Sequence, residues 1–360
     1  MAGLHGGNIK EIAEIYHLSE KSIIDFSANI NPLGLSENLL KVLKENTDQI
    51  LHYPDLRYTE LKKEIANYHS LTPENIFLGN GAAEVIYSLA NILKSQQLLV
   101  LAPTFSEYED AFAHQKTNIV YFKTKDNDFK VNTTDLMIKI QEEKVDTLCI
   151  CNPNNPTGTI IEKEEMIKLA KFCQNNQIYL IIDEAFMDFV DEKESLTTEL
   201  GGNEYLVILR SLTKIFAIPG LRLGYLLTDN SHMMDDLESN AIPWRINCFA
   251  DMAGRESLKD KQYLAETLSY VEKERLFLES SLTKFTELKL VKSSANFIFF
   301  EYLSTVDLQK ALIKMKILIR DCSNYKGLDG NYYRIAVRTR EENEKLVEAL
   351  ERYFYGKSHS

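Results

Sequence analysis

Lys214 lies in the run Arg210-Ser-Leu-Thr-Lys-Ile-Phe-Ala-Ile-Pro-Gly-Leu-Arg-Leu-Gly-Tyr225, flanked by hydroxyl residues and eight positions ahead of Arg222. A lysine amine can form a Schiff base with a carbonyl once its pKa is depressed enough to free the amine. Taken alone, it is equally a solvated surface charge. Upstream, Leu78-Gly-Asn-Gly-Ala-Ala-Glu84 follows a strand and opens a helix. Small residues there let backbone N–H groups converge on an anion at a helix N-terminus. Glu84 stands where a dinucleotide fingerprint needs its third glycine, so Gly81, Ala82 and Ala83 read as a single-phosphate cradle or a plain strand–helix turn. Cys151-Asn-Pro-Asn-Asn-Pro-Thr-Gly158 packs two prolines and a glycine into an irregular loop that aims Asn155, though an ordinary turn has the same composition. Ile181-Ile-Asp-Glu-Ala-Phe186 sets Asp183 at the carboxyl end of an apolar strand, where open α/β sheets bind ligands. A cap or an ion-pair partner would look alike.

These residues need a frame. Short apolar runs alternate with amphipathic stretches between about 80 and 230. The strand candidates are Ile76–Leu78, Leu98–Leu101, Ile119–Phe122, Thr147–Cys151, Tyr179–Ile182, Leu206–Leu209 and Leu223–Leu227. Helical patterns at Glu84–Leu93, Asp135–Glu142 and Lys163–Asn175 fill gaps between them. The alternation predicts a mostly parallel α/β sheet covered on both faces. The texture then changes: a long helix over Lys261–Thr283, strands at Ala295–Glu301, Ile317–Arg320 and Tyr332–Val337, and helices at Val306–Lys314 and Glu341–Phe354 predict a smaller α+β domain. The expected division is an N-terminal segment over 1–45 that packs on the other parts or on a second subunit, a large domain over 46–250 and a small one over 251–360.

Composition bounds the rest. With 360 residues, 44% hydrophobic and 26% charged, the chain is long enough for two domains and is neither disordered nor fibrous. A net charge of −12 without basic blocks argues against nucleic-acid binding, while leaving room for a local basic pocket. Five scattered cysteines form no CxxC pair, so neither a zinc site nor a disulfide framework is expected. No stretch approaches the roughly 18 apolar residues of a membrane span, and a cytoplasmic location is expected.

Taken together, Asn-Pro-x-Asn-Pro-Thr-Gly, Asp183, Ser-x-x-Lys and Gly-Leu-Arg-x-Gly-Tyr resemble the fold-type I pyridoxal-phosphate enzymes, the aspartate-aminotransferase superfamily. The resemblance spans nearly the whole chain. It implies a mostly parallel seven-stranded sheet sandwiched by helices plus a small α+β C-terminal domain, with pyridoxal 5'-phosphate as cofactor. Lys214 then looks like the Schiff-base lysine and Asp183 like the partner of the ring nitrogen. Asn155 corresponds to the partner of the ring oxygen and Phe105 to the aromatic that stacks on the ring. Gly81, Ala82, Ala83, Ser211 and Arg222 correspond to the phosphate site. Tyr53, in His-Tyr-Pro, resembles the tyrosine that reaches the phosphate from a neighbouring subunit, which implies a homodimer with shared sites. Phe186 departs from the tyrosine that many aminotransferases carry there.

A narrower resemblance comes from His5-Gly-Gly-Asn8, Asp25-Phe-Ser-Ala-Asn-Ile-Asn-Pro-Leu-Gly34, Pro243-Trp-Arg-Ile-Asn247, Ile319-Arg-Asp-Cys-Ser-Asn-Tyr-Lys-Gly-Leu-Asp329 and Tyr332-Tyr-Arg-Ile-Ala-Val-Arg338. These are similar to the threonine-phosphate decarboxylase family of cobalamin biosynthesis. Arg245 departs from the small residue often found there, and it reads as a pocket-rim or surface side chain. The resemblance implies His5, Gly6, Asn29, Asn155, Arg320 and Arg334 as contacts to O-phospho-L-threonine. The implied reaction is its decarboxylation to (R)-1-aminopropan-2-yl phosphate. Histidinol-phosphate aminotransferase is the same-fold alternative, followed by a phosphoserine-preferring decarboxylase and a non-catalytic regulator built on this fold.

Overall fold

The computed structural model describes residues 6–328 and 330–356. The chain enters through helix Ile9–Tyr16 and a two-residue strand, β1 (Ile24–Asp25). Seven strands then build one sheet: β2 (Ile76–Asn80), β3 (Gln97–Ala102), β4 (Asn118–Lys123), β5 (Thr147–Cys151), β6 (Tyr179–Asp183), β7 (Leu206–Ser211) and β8 (Leu223–Thr228). Their order is β2-β8-β7-β6-β5-β3-β4. All pairs are parallel except the two made by β8. Every residue of β5, β7 and β8 is buried, as runs such as Thr-Leu-Cys-Ile-Cys require when helices cover both faces. β4, at the edge, is half solvated.

The expected seven strands all form, each at or within two residues of its anticipated ends. The helices Gly81–Leu93, Thr133–Glu142 and Lys163–Asn175 form as well. A second, antiparallel sheet has the order β12-β13-β10-β9, from β9 (Leu288–Val291), β10 (Phe297–Tyr302), β12 (Arg320–Asp321) and β13 (Tyr332–Ala336). Helices Lys261–Leu282 and Arg340–Tyr355 pack together beside it.

One expected strand divides. The run Ile317–Arg320 splits at Ile319: β11 (Ile317–Leu318) pairs with β1 in a separate parallel ribbon, and β12 joins the small sheet opposite β13. Ile12, Ala13 and Ile23 of the N-terminal segment pack against Ile313 and Leu318, so this segment is seated on the chain's last third. Among the described residues no helix is long and apolar enough to cross a membrane.

Candidate active site

The carboxyl ends of β5, β6 and β7 open into a cavity of about 390 Å³, within the range of small-ligand sites. Lys214 lines it from a one-turn helix, Leu212–Ile215, that follows β7 directly. Burial, and the nearby positive charges of Arg222 and Arg334, lower its pKa from 10.5 to about 8 despite the opposing pull of Asp183. The amine is thus partly free near neutral pH, the condition a Schiff-base lysine needs. The lysine's backbone is also held from the N-terminal segment: Asn31 N–H donates to Lys214 O (3.0 Å) and Asn31 Nδ2 to Ile215 O (2.7 Å).

Asp183 ends β6 and is buried, its pKa raised by loss of solvent. Its Oδ2 accepts from the Tyr108 hydroxyl (2.6 Å) and its Oδ1 from Ala185 N–H (2.9 Å). These bonds hold the carboxylate ready for a cationic partner. Phe105 lines the cavity wall, and its ring meets Tyr108 edge-on at 5.6 Å. Asn155 reaches in from the loop after β5. Its Oδ1 accepts from Tyr325 OH (3.2 Å) and from Arg334 Nη1, which leaves the Nδ2 hydrogens as donors.

The other end of the cavity is built from a helix start, small residues and Arg222, groups that could hold an anion. Helix Gly81–Leu93 starts immediately after β2, and its first-turn amides have no partner inside the helix. Glu84 folds its carboxylate back to Asn80 N–H. Gly81, at φ +79°, has no Cβ because one would collide with the Arg222 guanidinium. Arg222 itself adopts φ +61°, an unusual conformation for a side-chain-bearing residue, beside a site that it serves. Ser211 Oγ and Thr213 Oγ1 are 2.8 Å apart. Ala82, Ala83, Ser211 and Arg222 all line the cavity.

Arg334, on β13, closes the remaining side. It is buried, its Nη2 donates to Ser27 O (2.9 Å), and the Asn29 amide, turned with its oxygen inward, accepts from Nε and Nη1 (3.3 and 3.2 Å). Gly6 lies against the Ser27 carbonyl, where a Cβ would not fit, and Gly7 N–H donates to Ser27 Oγ (2.8 Å). Arg320 is directly opposite Arg334 across β12 and β13. It does not line the cavity: its guanidinium lies over the Tyr325 ring at 5.5 Å, and Nη2 donates to Asn324 Oδ1 (2.8 Å). His5 is outside the described residues.

Tyr53 is elsewhere. It is 80% exposed and stacks on Trp244 at 4.6 Å, beside a second cleft lined by His52, Asp251 and Arg255. Arg245 belongs to neither rim nor open surface. Its Nε donates to Leu78 O (2.6 Å), it pairs with Glu238 (3.0 Å), and it covers the Phe77 ring at 4.4 Å, so it braces β2.

The profile of the family described as aminotransferase class I and II matches residues 21–350. The chain belongs to this family. The threonine-phosphate decarboxylase of Salmonella typhimurium is 36% identical over 353 residues, covering 98% of this chain and 97% of that one. Among solved structures, a decarboxylase from Sulfurospirillum multivorans superposes with a TM-score of 0.88 at 29% identity, covering 99% of this chain and 94% of the other. The histidinol-phosphate aminotransferase from Clostridium acetobutylicum superposes at 0.85 and 35% identity, covering 91% and 97%.

For a class I and II aminotransferase, the donor set fits pyridoxal 5'-phosphate group by group. A depressed amine could meet its aldehyde, a buried carboxylate its ring nitrogen, an amide N–H its ring oxygen, and the small-residue turn with Arg222 its phosphate. No cluster of three or more metal-binding side chains occurs among the described residues. Sequence reasoning missed Tyr108, Tyr325 and Thr213. Tyr108 is one helical turn beyond Phe105, a spacing that puts both rings on one side. Tyr325 lies in the quoted segment ending at Asp329, but no local pattern aims it at Asn155.

Proposed function

We propose that this aminotransferase-family chain binds pyridoxal 5'-phosphate at Lys214 and decarboxylates O-phospho-L-threonine, releasing CO2 and (R)-1-aminopropan-2-yl phosphate, the linker unit of cobalamin. One observation carries the choice of substrate: Arg334 is buried and lines the cavity with no carboxylate partner among the described residues. Arg334's described partners, Ser27 O, Asn29 and Asn155, are all neutral. A phosphate dianion would supply the missing counter-charge, and a guanidinium fork matches it. The full-length similarity to a threonine-phosphate decarboxylase supports the same choice.

When bound, the cofactor ring takes up the electron pair left behind as a bond to the amino acid's Cα breaks. Arg334 would anchor the substrate by its phosphoryl end, a role the resemblance also implies for Arg320 and His5, and the carboxylate would then be left without an arginine clamp. Remote binding energy thereby fixes the reactive geometry. Asp183 would hold the ring nitrogen in its protonated form, and Asn155 would donate to the ring oxygen without the tyrosine hydroxyl that Phe186 replaces. Phe186 packs edge-on against Phe297 at 5.0 Å and adds an apolar wall. Lys214 Nζ, buried in the cavity, or a nearby acid would deliver the proton that Cα takes up after CO2 departs.

We assign Tyr53 to the partner's phosphate site in a homodimer. Ile50, Leu51, Leu56, Ile242 and Trp244 are exposed around it, an apolar area that a second copy of the chain would cover. Five free cysteines favour a reducing cytoplasm. Purified holoenzyme given phosphothreonine should release CO2 stoichiometrically with the aminopropyl phosphate. Efficient 2-oxo-acid-dependent transamination of histidinol phosphate without CO2 release would reverse the assignment. Faster turnover of phosphoserine would change the substrate but keep the reaction. Borohydride reduction should place the pyridoxyl label on Lys214.

A further inference from the structure

Directly behind the cavity floor is a buried charged network that the reaction above does not use. Two of its members are the immediate neighbours of cavity residues: Glu184 follows Asp183 and Arg210 precedes Ser211. The strands put them in register, with Asp183 beside Leu209 and Arg210 beside Tyr225. Arg210 is 0% exposed. Its Nη1 is 3.6 Å from Glu184 Oε2 and 3.8 Å from Asp188 Oδ1, and its Nη2 donates to Glu192 Oε2 at 2.6 Å. Helix Thr59–His69 adds Tyr68, which donates to Asp188 (3.3 Å), and His69, which bonds Tyr225 OH (2.8 Å) and faces Glu192 (3.6 Å).

One buried guanidinium faces three carboxylates, Glu184 and Asp188 in the interior and Glu192 at the surface. Taking such ions out of water costs so much that an apolar replacement is often as stable. Stability alone is therefore a poor reason for this network. Its geometry supplies a better one. Glu184 is tied by its own carboxylate to the next turn, accepting from Ser195 Oγ (2.6 Å) and Leu196 N–H (3.0 Å). Its backbone N–H bonds Leu209 O (2.9 Å). Arg210 Nε and Nη1 make no hydrogen bond among the described residues, so charge rather than a directional bond joins it to Glu184 and Asp188.

We propose that Arg210 is a positioning residue: by holding Glu184 and the turn bearing Asp188 and Glu192, it fixes the strand ends from which Asp183 and Ser211 enter the cavity, and so sets Asp183 relative to Lys214. This rests on the reading of the cavity as a pyridoxal-phosphate site. Because Asp183 opposes the burial and the two arginines that depress the Lys214 amine, a displaced Asp183 changes how the bound cofactor titrates.

The test is Arg210→Lys, which keeps the charge and removes the planar fork. In holoenzyme with full cofactor content, the pH midpoint of the cofactor's absorbance should fall by about half a unit or more, and kcat by about tenfold with KM within about twofold. Wild-type midpoint and kcat would overturn the proposal, whatever happens to the melting temperature. Should Arg210→Lys not accumulate as folded protein, Glu184→Gln, which leaves the side-chain shape intact, is judged by the same two readouts. A wild-type protein whose borohydride label maps away from Lys214 would instead remove the cofactor reading on which this stands.

Discussion

Arg334 is where recognition and chemistry meet, because its guanidinium touches the loop that aims Asn155 and its charge reaches Lys214. Removing a buried, hydrogen-bonded cation costs about 2–5 kcal/mol in binding. Arg334→Ala should accordingly lower kcat/KM for phosphothreonine by about a hundredfold or more, and Arg334→Lys should restore only part, since it offers no fork. Unphosphorylated threonine should be affected far less, and steady-state kinetics on both substrates separate a grip on phosphate from a grip on carboxylate. Lys214, Asp183 and Asn155 were legible because each ends or follows an apolar strand that the sequence marks plainly. Tyr108 and Tyr325 were not, since a tyrosine's hydrogen-bond partner depends on tertiary approach. Arg210 was hidden for a related reason: in sequence it is one more charge beside Ser211, and only burial reveals three carboxylates around it.

The elements that matter most are those that meet without side chains between them. Gly224 on β8 lies so close to the start of helix Gly81–Leu93 that a Cβ would strike Ala82 N. Gly224→Ala should wedge strand from helix and spread the phosphate cradle. Overpacking of this kind costs about 1–3 kcal/mol. The expected result is a lower melting temperature and weaker cofactor retention on dialysis, with the far-UV spectrum unchanged. The large sheet could be read from sequence because each strand, covered on both faces, is a nearly unbroken aliphatic run. β1, and the division of the expected Ile317–Arg320 strand into β11 and β12, could not. Two-residue strands carry no periodicity, and the split at Ile319 arises from two different partners rather than from any local signal.

At the scale of the molecule, buried charge makes stability depend on pH. Burial raises Glu184 from 4.5 to about 7, against the pull of Arg210. A carboxyl that holds its proton more tightly in the fold contributes stability that is present below about pH 4.5 and lost as pH rises through about 7. Glu184→Gln imitates the protonated form, so its melting temperature relative to wild type should be higher at pH 8 than at pH 5.5, by an amount equivalent to about 1–3 kcal/mol. Scanning calorimetry at the two pH values checks this. The exposed apolar area at Trp244 makes a second whole-molecule prediction: Trp244→Glu should shift the protein toward monomer in sedimentation and reduce activity along with it, because Tyr53 would lose its target. The ribbon of β1 with β11 bears on how the chain is made. Strand β1 leaves the ribosome early, but its mate is synthesised nearly a whole chain later, a wait on the order of tens of seconds at ~5–20 residues per second. Until then Asn29 has no Arg334 to join and Ile24 no strand neighbour, so a nascent chain can finish its large sheet yet stay catalytically mute until the last third has emerged.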